Sequence, residues 1–206
     1  MTPHLANVAD IVVKRLGRVE YEPTLEAMRH FTRARDENTT DELWLLEHPP
    51  VYTLGQSATP VSVHNGIPVV NADRGGEVTY HGPGQVVLYT LVDLARCGIK
   101  VKPFVRLLEQ ALIDVIGSKA VRRPGAPGVY VDGAKVAALG IRVIKGRAYH
   151  GVALNVDMDL APFSAIDPCG YPGLAVTQTR DLGLADSPTA MGEKLAARVI
   201  HHLEHA

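Results

Sequence analysis

GVYVDGAKVAALGIRVIKGRAYHGVALNV, residues 128–156, is a run of valine, alanine, leucine and isoleucine cut twice by turn dipeptides, Asp132-Gly133 and Lys145-Gly146. Asp-Gly between apolar runs is a strong hairpin signal, because a two-residue type I′ turn needs φ > 0 at both central positions. Lys145-Gly146 marks the next reversal, so the segment predicts a meander of three strands. Such a meander argues for a mixed or largely antiparallel sheet and against a doubly wound parallel one.

Outward from the meander the periodicities alternate in type. Gln85 to Leu94 is a strand rich in valine and leucine. Leu43 to Leu46 and Val51 to Leu54 are apolar runs split by Pro49-Pro50, which predicts strand, sharp break, strand; Ile11 to Val13 predicts another short strand. Helical spacing recurs three times. Pro23 suits a first helical turn and Leu25, Met28 and Phe31 give an apolar face, so a helix is expected from about Pro23 to Arg35. Pro103 opens a second, with Phe104, Leu108, Ala111, Leu112 and Val115 in phase until Gly117 stops it. Ser187-Pro188, an N-cap followed by a first-turn proline, opens the last, which continues through Met191, Leu195, Val199 and Leu203. The expected class is α/β, a single domain over residues 1–206 with a mixed, largely antiparallel sheet flanked by helices.

A chain of 206 residues can bury one sizeable core, and 46% apolar with 21% charged residues is ordinary for a globular protein. With 21 basic against 22 acidic residues there is no global field to attract nucleic acid. Basic residues cluster locally instead, at Lys14, Arg15 and Arg18, at Arg29, Arg33 and Arg35, and at Lys100, Lys102 and Arg106. Such clusters usually form a solvated face, and a docking surface for an acidic partner is the alternative. Cys97 and Cys169 make neither a disulfide framework nor a zinc site, which suits a reducing compartment. No apolar run is long enough to span a bilayer, and Met1 to Asp10 lacks the pattern of a signal peptide. A cytoplasmic protein with no membrane partner is expected.

The chemistry gathers at turns. From Arg74 to Gln85, four glycines, Pro83, Arg74 and His81 crowd twelve positions, a composition that predicts a surface loop whose backbone approaches a ligand closely. The bland alternative is a tight connection between strands. Cys169 stands in Asp167-Pro168-Cys169-Gly170-Tyr171-Pro172-Gly173, an accessible turn, and could be a nucleophile or merely a turn residue; Cys97 has no such setting and reads as structural. A cysteine nucleophile needs a cation to hold it as thiolate, since a free thiol with pKa about 8.5 is mostly protonated at neutrality. Lys135, at the start of an apolar strand, is the candidate, or else only an edge charge. His48, His81 and His150 each sit beside a turn or strand end and could move protons. Their spacing pre-sets no metal geometry, so no metal is expected.

Six segments together are recognisable: Glu47 to Gly55, Arg74 to Gln85, Ala126 to Val131, Lys135 to Arg142, His150 to Val156 and Asp167 to Gly170. In that order they resemble the octanoyltransferases, also called lipoyl(octanoyl) transferases, over roughly residues 11 to 180. The resemblance implies a fold shared with biotin and lipoate protein ligases. It implies transfer of octanoyl from acyl carrier protein to a lysine of lipoyl domains, those of 2-oxoacid dehydrogenase subunits and the glycine cleavage H protein, without ATP, metal or other cofactor. Carried over by position, Cys169 would hold the acyl thioester and Lys135 would lower its pKa. Substrate would lie against Arg74, Gly75, Gly76, Glu77, Val78, Thr79, Tyr80 and His81, against Ala138, Leu139 and Gly140, and against Gly151, Val152 and Ala153. His48 and His150 would be accessory. Ala138 departs from the Ser-Leu-Gly that many relatives resemble there, so any contact at that point must come from backbone. A lipoate protein ligase of the same fold, and a non-catalytic acyl-binding module, are the alternatives.

Overall fold

The computed structural model describes residues 11–59, 61, 63, 65–166 and 173–206. The meander forms as β8 (Ala126–Val131), β9 (Ala134–Ile144) and β10 (Arg147–Asn155). Asp132 and Gly133 lie at φ 49° and 83°, and Lys145 and Gly146 at 49° and 79°, the paired left-handed conformation that a two-residue hairpin requires. Beyond β10 come β6 (Gln85–Asp93) and β2 (Glu42–Glu47), both antiparallel to their neighbours, and then β1 (Val12–Arg18), parallel to β2. β7 (Val121–Arg123) pairs with β8 at the other edge, giving a 7-stranded sheet in the order β1-β2-β6-β10-β9-β8-β7. The parallel β1–β2 pair is possible because α1 (Tyr21–Ala34) supplies its crossover. β1 runs further than Ile11 to Val13, through Lys14, Arg15 and Arg18, cations that guard an edge strand against pairing with other chains.

Alternation divides the sheet's side chains between two cores. Val86, Leu88, Val152 and Leu154 join Phe104 and Leu108 of α2 (Val101–Ile116) and Met191 and Leu195 of α3 (Pro188–Glu204). Val87, Tyr89, Leu91 and Tyr149 face the other way, against Tyr21, Leu25 and Met28 of α1. At about 1.5–3 kcal/mol for each large side chain fully buried, these two layers are the main favourable term in folding. β6 is buried along its whole length, which is why it reads as a continuous apolar run with no alternation.

Two of the three helices start earlier than their prolines suggest. α1 begins at Tyr21 and α2 at Val101, so Pro23 and Pro103 occupy the third helical position. The N–H groups of a first turn have no intrahelical acceptor, so proline removes nothing there. α3 starts where expected, with Ser187 Oγ accepting from the Ala190 N–H at 3.2 Å.

A second sheet sets β3 (Val51–Leu54) between β4 (Val69–Asn71), parallel to it, and β5 (Val78–His81), antiparallel. The expectation of one surface loop from Arg74 to Gln85 is corrected here, since its middle is strand and Arg74 is buried. A four-residue strand between glycines shows no period of its own; pairing with β3 defines it. Among the described residues no helix is long and apolar enough to cross a membrane.

Candidate active site

Between the α1 face of the large sheet and the small sheet lies a largely apolar cavity that opens to solvent. Strand register makes its floor. Ala138, Ala153 and Val87 form one row across β9, β10 and β6, and Gly140, Gly151 and Tyr89 form the next. The floor is therefore low over β9 and β10, where only methyls and hydrogens stand, and rises at β6. In β2 the same rows continue as Leu46 and Trp44, both buried. A Cβ at Gly151 would stand 2.1 Å from the Leu88 carbonyl oxygen, and one at Gly140 would stand 2.8 Å from that of Gly75, so neither position has room for a side chain.

The roof is the turn at Arg74 to Gly76, which crosses over Gly140. The Gly75 N–H donates to the Ile141 carbonyl at 3.0 Å, and Gln56 and Ser57 donate to Arg74 and Gly76 at 2.9 and 3.1 Å. Arg74 Nη2 donates to the Thr53 carbonyl and to Thr53 Oγ1 at 2.7 and 2.8 Å. Arg74 thus ties the turn to β3 while also lining the cavity.

Lys135 reaches the cavity through an irregularity. β9 carries one extra residue opposite Val129 and Tyr130, where the register shifts from Tyr130↔Lys135 to Val129↔Ala137. Strict alternation would put Lys135 and Ala138 on opposite faces; the bulge brings them to one, and both line the cavity. Lys135 is only 4% exposed. Its N–H donates to Ala175 at 2.8 Å, its carbonyl accepts from Thr177 at 2.9 Å, and its Nζ lies 5.5 Å from the Tyr130 ring centroid. Gly128 makes room for it, since a Cβ there would stand 2.6 Å from Lys135 Cε.

Histidine and tyrosine close the side toward β6. His48 Nδ1–H donates to the Val19 carbonyl at 2.6 Å, which leaves Nε2 to accept from the Tyr89 hydroxyl at 2.8 Å. Burial lowers the His48 pKa to about 4 and, helped by the nearby His48, lowers that of His81 to about 3. His81 Nδ1–H donates to Gln85 Oε1 at 2.7 Å, and the Tyr21 ring stacks on His81 with centroids 5.9 Å apart. Of these two histidine rings, His81 lines the cavity and is favoured in its neutral form. His150 sits at φ 61°, rare for a residue with a side chain, and its ring stacks on that of adjacent Tyr149 at 4.9 Å. The left-handed backbone turns both rings to one side, where His150 Nε2–H and the Tyr149 hydroxyl donate to Asp73 at 2.8 and 2.6 Å. Burial pushes the Asp73 carboxyl up, but hydrogen bonds from His150, Tyr149 and Arg29 outweigh it and hold Asp73 well below the usual carboxylate range. Burial also lowers the His150 pKa against the raising effect of Asp73.

Arg74, Gly76 to Thr79, His81, Lys135, Ala138 to Gly140 and Gly151 to Ala153 all line this cavity. Val152 meets it by its backbone, its side chain belonging to the core beneath α2 and α3. Gly75 and Tyr80 are not among the lining residues: Gly75 is bonded to Ile141, and the Tyr80 ring packs on Tyr52 and Phe163. His48 stands behind Tyr89. Cys169 lies outside the described residues. Cys97 is half-buried, with its thiol pushed up to about 11 by burial and then by Asp41. Sequence reasoning misses Tyr21, Tyr89 and Asp73, although Tyr89 interrupts an aliphatic strand and Asp73 precedes Arg74.

The lipoyl protein ligase A/B catalytic domain family matches residues 20–198. The chain is 59% identical over 198 residues to the octanoyltransferase of Aromatoleum aromaticum, covering 94% of this chain and 86% of that protein. It is 63% identical over 179 residues to the octanoyltransferase of Thiobacillus denitrificans, covering 84% and 82%. Among solved structures it is similar to lipoate-protein ligase A bound with ATP, with a TM-score of 0.75 at 15% identity over 94% of this chain and 85% of that one. It is also similar to the biotin protein ligase of Aquifex aeolicus in complex with biotin and ATP, with a TM-score of 0.54 at 9% identity over 95% and 70%. At those identities the structural likeness establishes the fold.

Proposed function

Since this chain belongs to the lipoyl protein ligase A/B catalytic domain family, and within it with the octanoyltransferases, we propose that it transfers octanoyl from acyl carrier protein to a lysine of lipoyl domains through a thioester on Cys169. The observation that carries the reading is convergence. Three segments far apart in sequence, around residues 76, 139 and 152, meet Lys135 around one largely apolar cavity.

The Cys169 thiolate attacks the octanoyl carbonyl, the carrier's C–S bond breaks, and the carrier leaves as a thiol after taking a proton from the Lys135 ammonium. The acceptor lysine's ε-amine then attacks the acyl-enzyme, giving the amide and returning the thiolate. Exchange of one thioester for another is nearly balanced and thioester to amide runs downhill, so the donor is already activated and ATP has no step to drive. Backbone N–H groups of the glycine-rich segments stabilise the tetrahedral oxyanion, at about 3 kcal/mol per donor. The Lys135 ammonium favours the thiolate before acylation and gives its proton to the departing carrier thiolate; the neutral amine that remains then takes a proton from the incoming amine, which restores the ammonium beside the returned thiolate. The exposed Arg33 on α1 and Lys100, Lys102 and Arg106 at the start of α2 suit an acidic carrier, whereas Arg29 is paired with Asp73 and Glu26 and Arg35 is buried against Asp41.

The test is incubation with octanoyl carrier protein alone, followed by intact-mass measurement and peptide mapping, then addition of a lipoyl domain. An octanoyl adduct on Cys169 that passes to the domain's lysine is expected. No adduct without ATP, together with transfer from free octanoate and ATP that survives Cys169→Ala, would make the protein a ligase instead. Stoichiometric capture with no turnover would make it a binding module.

A further inference from the structure

We propose that Asn155 is a positioning residue for Lys135: it holds the stretch of chain that fixes the lysine's backbone, and Gln85 fixes the way its own amide faces. This rests on the acyl-transfer reading above. The need for such a residue arises where β10 parts from β9. The two strands pair only as far as Leu154↔Ala137. Beyond that point the stretch from Ala175 to Thr177 takes over beside Lys135, as an isolated parallel bridge between Lys135 and Val176. The Lys135 N–H donates to the Ala175 carbonyl at 2.8 Å, and the Thr177 N–H donates to the Lys135 carbonyl at 2.9 Å. Two bonds outside a continuous ladder constrain less than a paired strand does, so whatever fixes Thr177 fixes Lys135. Asn155, the last residue of β10, does this: its Nδ2–H donates to the Thr177 carbonyl at 3.0 Å, and its own carbonyl accepts from the Thr179 N–H at 3.0 Å. Asn155, Lys135 and Val176 all line the cavity.

An amide can do this in one orientation only, and its neighbours select it. Asn155 and Gln85 stand opposite each other where β10 meets β6. A backbone carbonyl can only accept. The Tyr80 carbonyl takes a Gln85 Nε2–H at 3.1 Å and the Thr177 carbonyl takes the Asn155 Nδ2–H, so the two side chains meet as Gln85 Nε2–H donating to Asn155 Oδ1 at 2.9 Å. Gln85 Oε1 is then left to accept from His81 Nδ1–H at 2.7 Å. Turning Asn155 over would set its Nδ2 against Gln85 Nε2 and its Oδ1 against the Thr177 carbonyl. Both side chains are buried, at 1% exposure for Gln85 and 5% for Asn155, so water does not readily replace a bond lost there. Gln85 itself stands outside the cavity lining and reaches Lys135 only through Asn155 and Thr177.

The experiment is a double-mutant cycle on Asn155→Ala and Gln85→Glu in the full chain. It is read by kcat and KM for octanoyl transfer from carrier protein to a lipoyl domain, and by the midpoint pH for alkylation of Cys169 by iodoacetamide, each well below the variant's melting temperature. Asn155→Ala lets Thr177 shift and Lys135 with it. Its kcat should fall about ten- to a hundredfold, the cost of a reacting group misplaced by up to about 1 Å. KM should stay within about threefold, and the alkylation midpoint should rise because the thiolate loses part of its ammonium. Gln85→Glu keeps size and still accepts from His81, but its carboxylate offers Asn155 no donor. The Asn155 amide then turns its Nδ2 to the carboxylate and its oxygen to Thr177, so the same three changes are expected. In the double variant Gln85→Glu should lower kcat little beyond Asn155→Ala alone, since its effect passes through the missing amide. Normal kcat with an unchanged midpoint in folded Asn155→Ala, whatever its Tm, would make Asn155 merely structural and overturn the proposal while octanoyl transfer stands. Losses that multiply in full in the double variant would route the effect of Gln85 through His81 and overturn the relay. If Asn155→Ala fails to fold, Gln85→Glu decides by the same readings. No transfer by the unsubstituted protein would bring down the acyl-transfer reading itself, and the positioning role with it.

Discussion

Replacing Gly128 by alanine tests with one methyl whether the placement of Lys135 matters. Gly128 lies at φ 129°, and an added Cβ would stand 2.6 Å from Lys135 Cε, 3.2 Å from its Nζ and 2.5 Å from the Ala137 carbonyl oxygen. Carbon atoms in contact rest about 3.5–4.0 Å apart, so the lysine must give way by about 1 Å. Its flexible tail can do so cheaply. The Ala137 oxygen, held beside the β8–β9 pairing, cannot, and the left-handed φ adds about 1–3 kcal/mol of strain. A total loss of about 2–3 kcal/mol would lower Tm by about 5–10 °C in a chain of this size. Activity should fall further, because a reacting group misplaced by about 1 Å can cost about a hundredfold. The assay is octanoyl transfer to a lipoyl domain well below the variant's own midpoint, with circular dichroism reporting the fold. Gly183→Ala is the control: its φ is 83° and nothing lies within 4 Å of the added Cβ, so it carries strain without contact and should lose a few degrees of Tm but no transfer. A folded Gly128→Ala variant that transfers octanoyl within about threefold of the unsubstituted chain would refute the reasoning.

Lys135→Met should raise the midpoint pH for alkylation of Cys169 by iodoacetamide, each unit corresponding to about 1.4 kcal/mol of lost preference for the thiolate. Cys97, with its thiol pushed up to about 11, should react slowly throughout and serves as an internal reference; an unchanged Cys169 midpoint would return Lys135 to a structural role. Stability should be flat above pH 6.5 and fall as the medium becomes more acidic. Below that pH the unfolded chain's histidines take up protons that folded His48 and His81, lowered to about 4 and about 3, refuse. The slope approaches about 1.4 kcal/mol per pH unit for each histidine until its folded value is passed, and urea midpoints between pH 8 and pH 4 should lose part of it in His48→Gln. Gly82→Ala should destabilise the small sheet, since its Cβ would stand 2.3 Å from the Tyr80 hydroxyl oxygen. Transfer measured well below its lowered melting temperature should stay near normal, and a selective loss of transfer would instead give Gly82 a direct part in binding substrate.

The parts of the fold that obey a period are legible in the amino-acid sequence. The meander, the strands flanking Pro49-Pro50 and all three helices follow from hairpin dipeptides, apolar spacing and caps. β7 and the strands β4 and β5 are not legible in this way, because three or four residues carry no measurable period; β3 is as short and is legible only through the Pro49-Pro50 break that sets it off from β2. The site is legible as a set of segments, and the resemblance supplies their roles. Their geometry is not, and the reason is physical. Alternation sends neighbouring side chains to opposite faces, whereas a cavity needs residues of both parities on one face. The chain meets that need by breaking the pattern where the site lies. An extra residue in β9 turns Lys135 to the side of Ala138. A left-handed His150 turns its ring to the side of Tyr149, and Gly151 follows it because the Leu88 carbonyl oxygen lies where a Cβ would stand. Neither break leaves a mark in the sequence, since Lys-Val-Ala and Tyr-His-Gly read as ordinary strand. Both become visible only when the neighbouring strands fix the register, so the regular part of the sheet is what gives the irregular part its meaning.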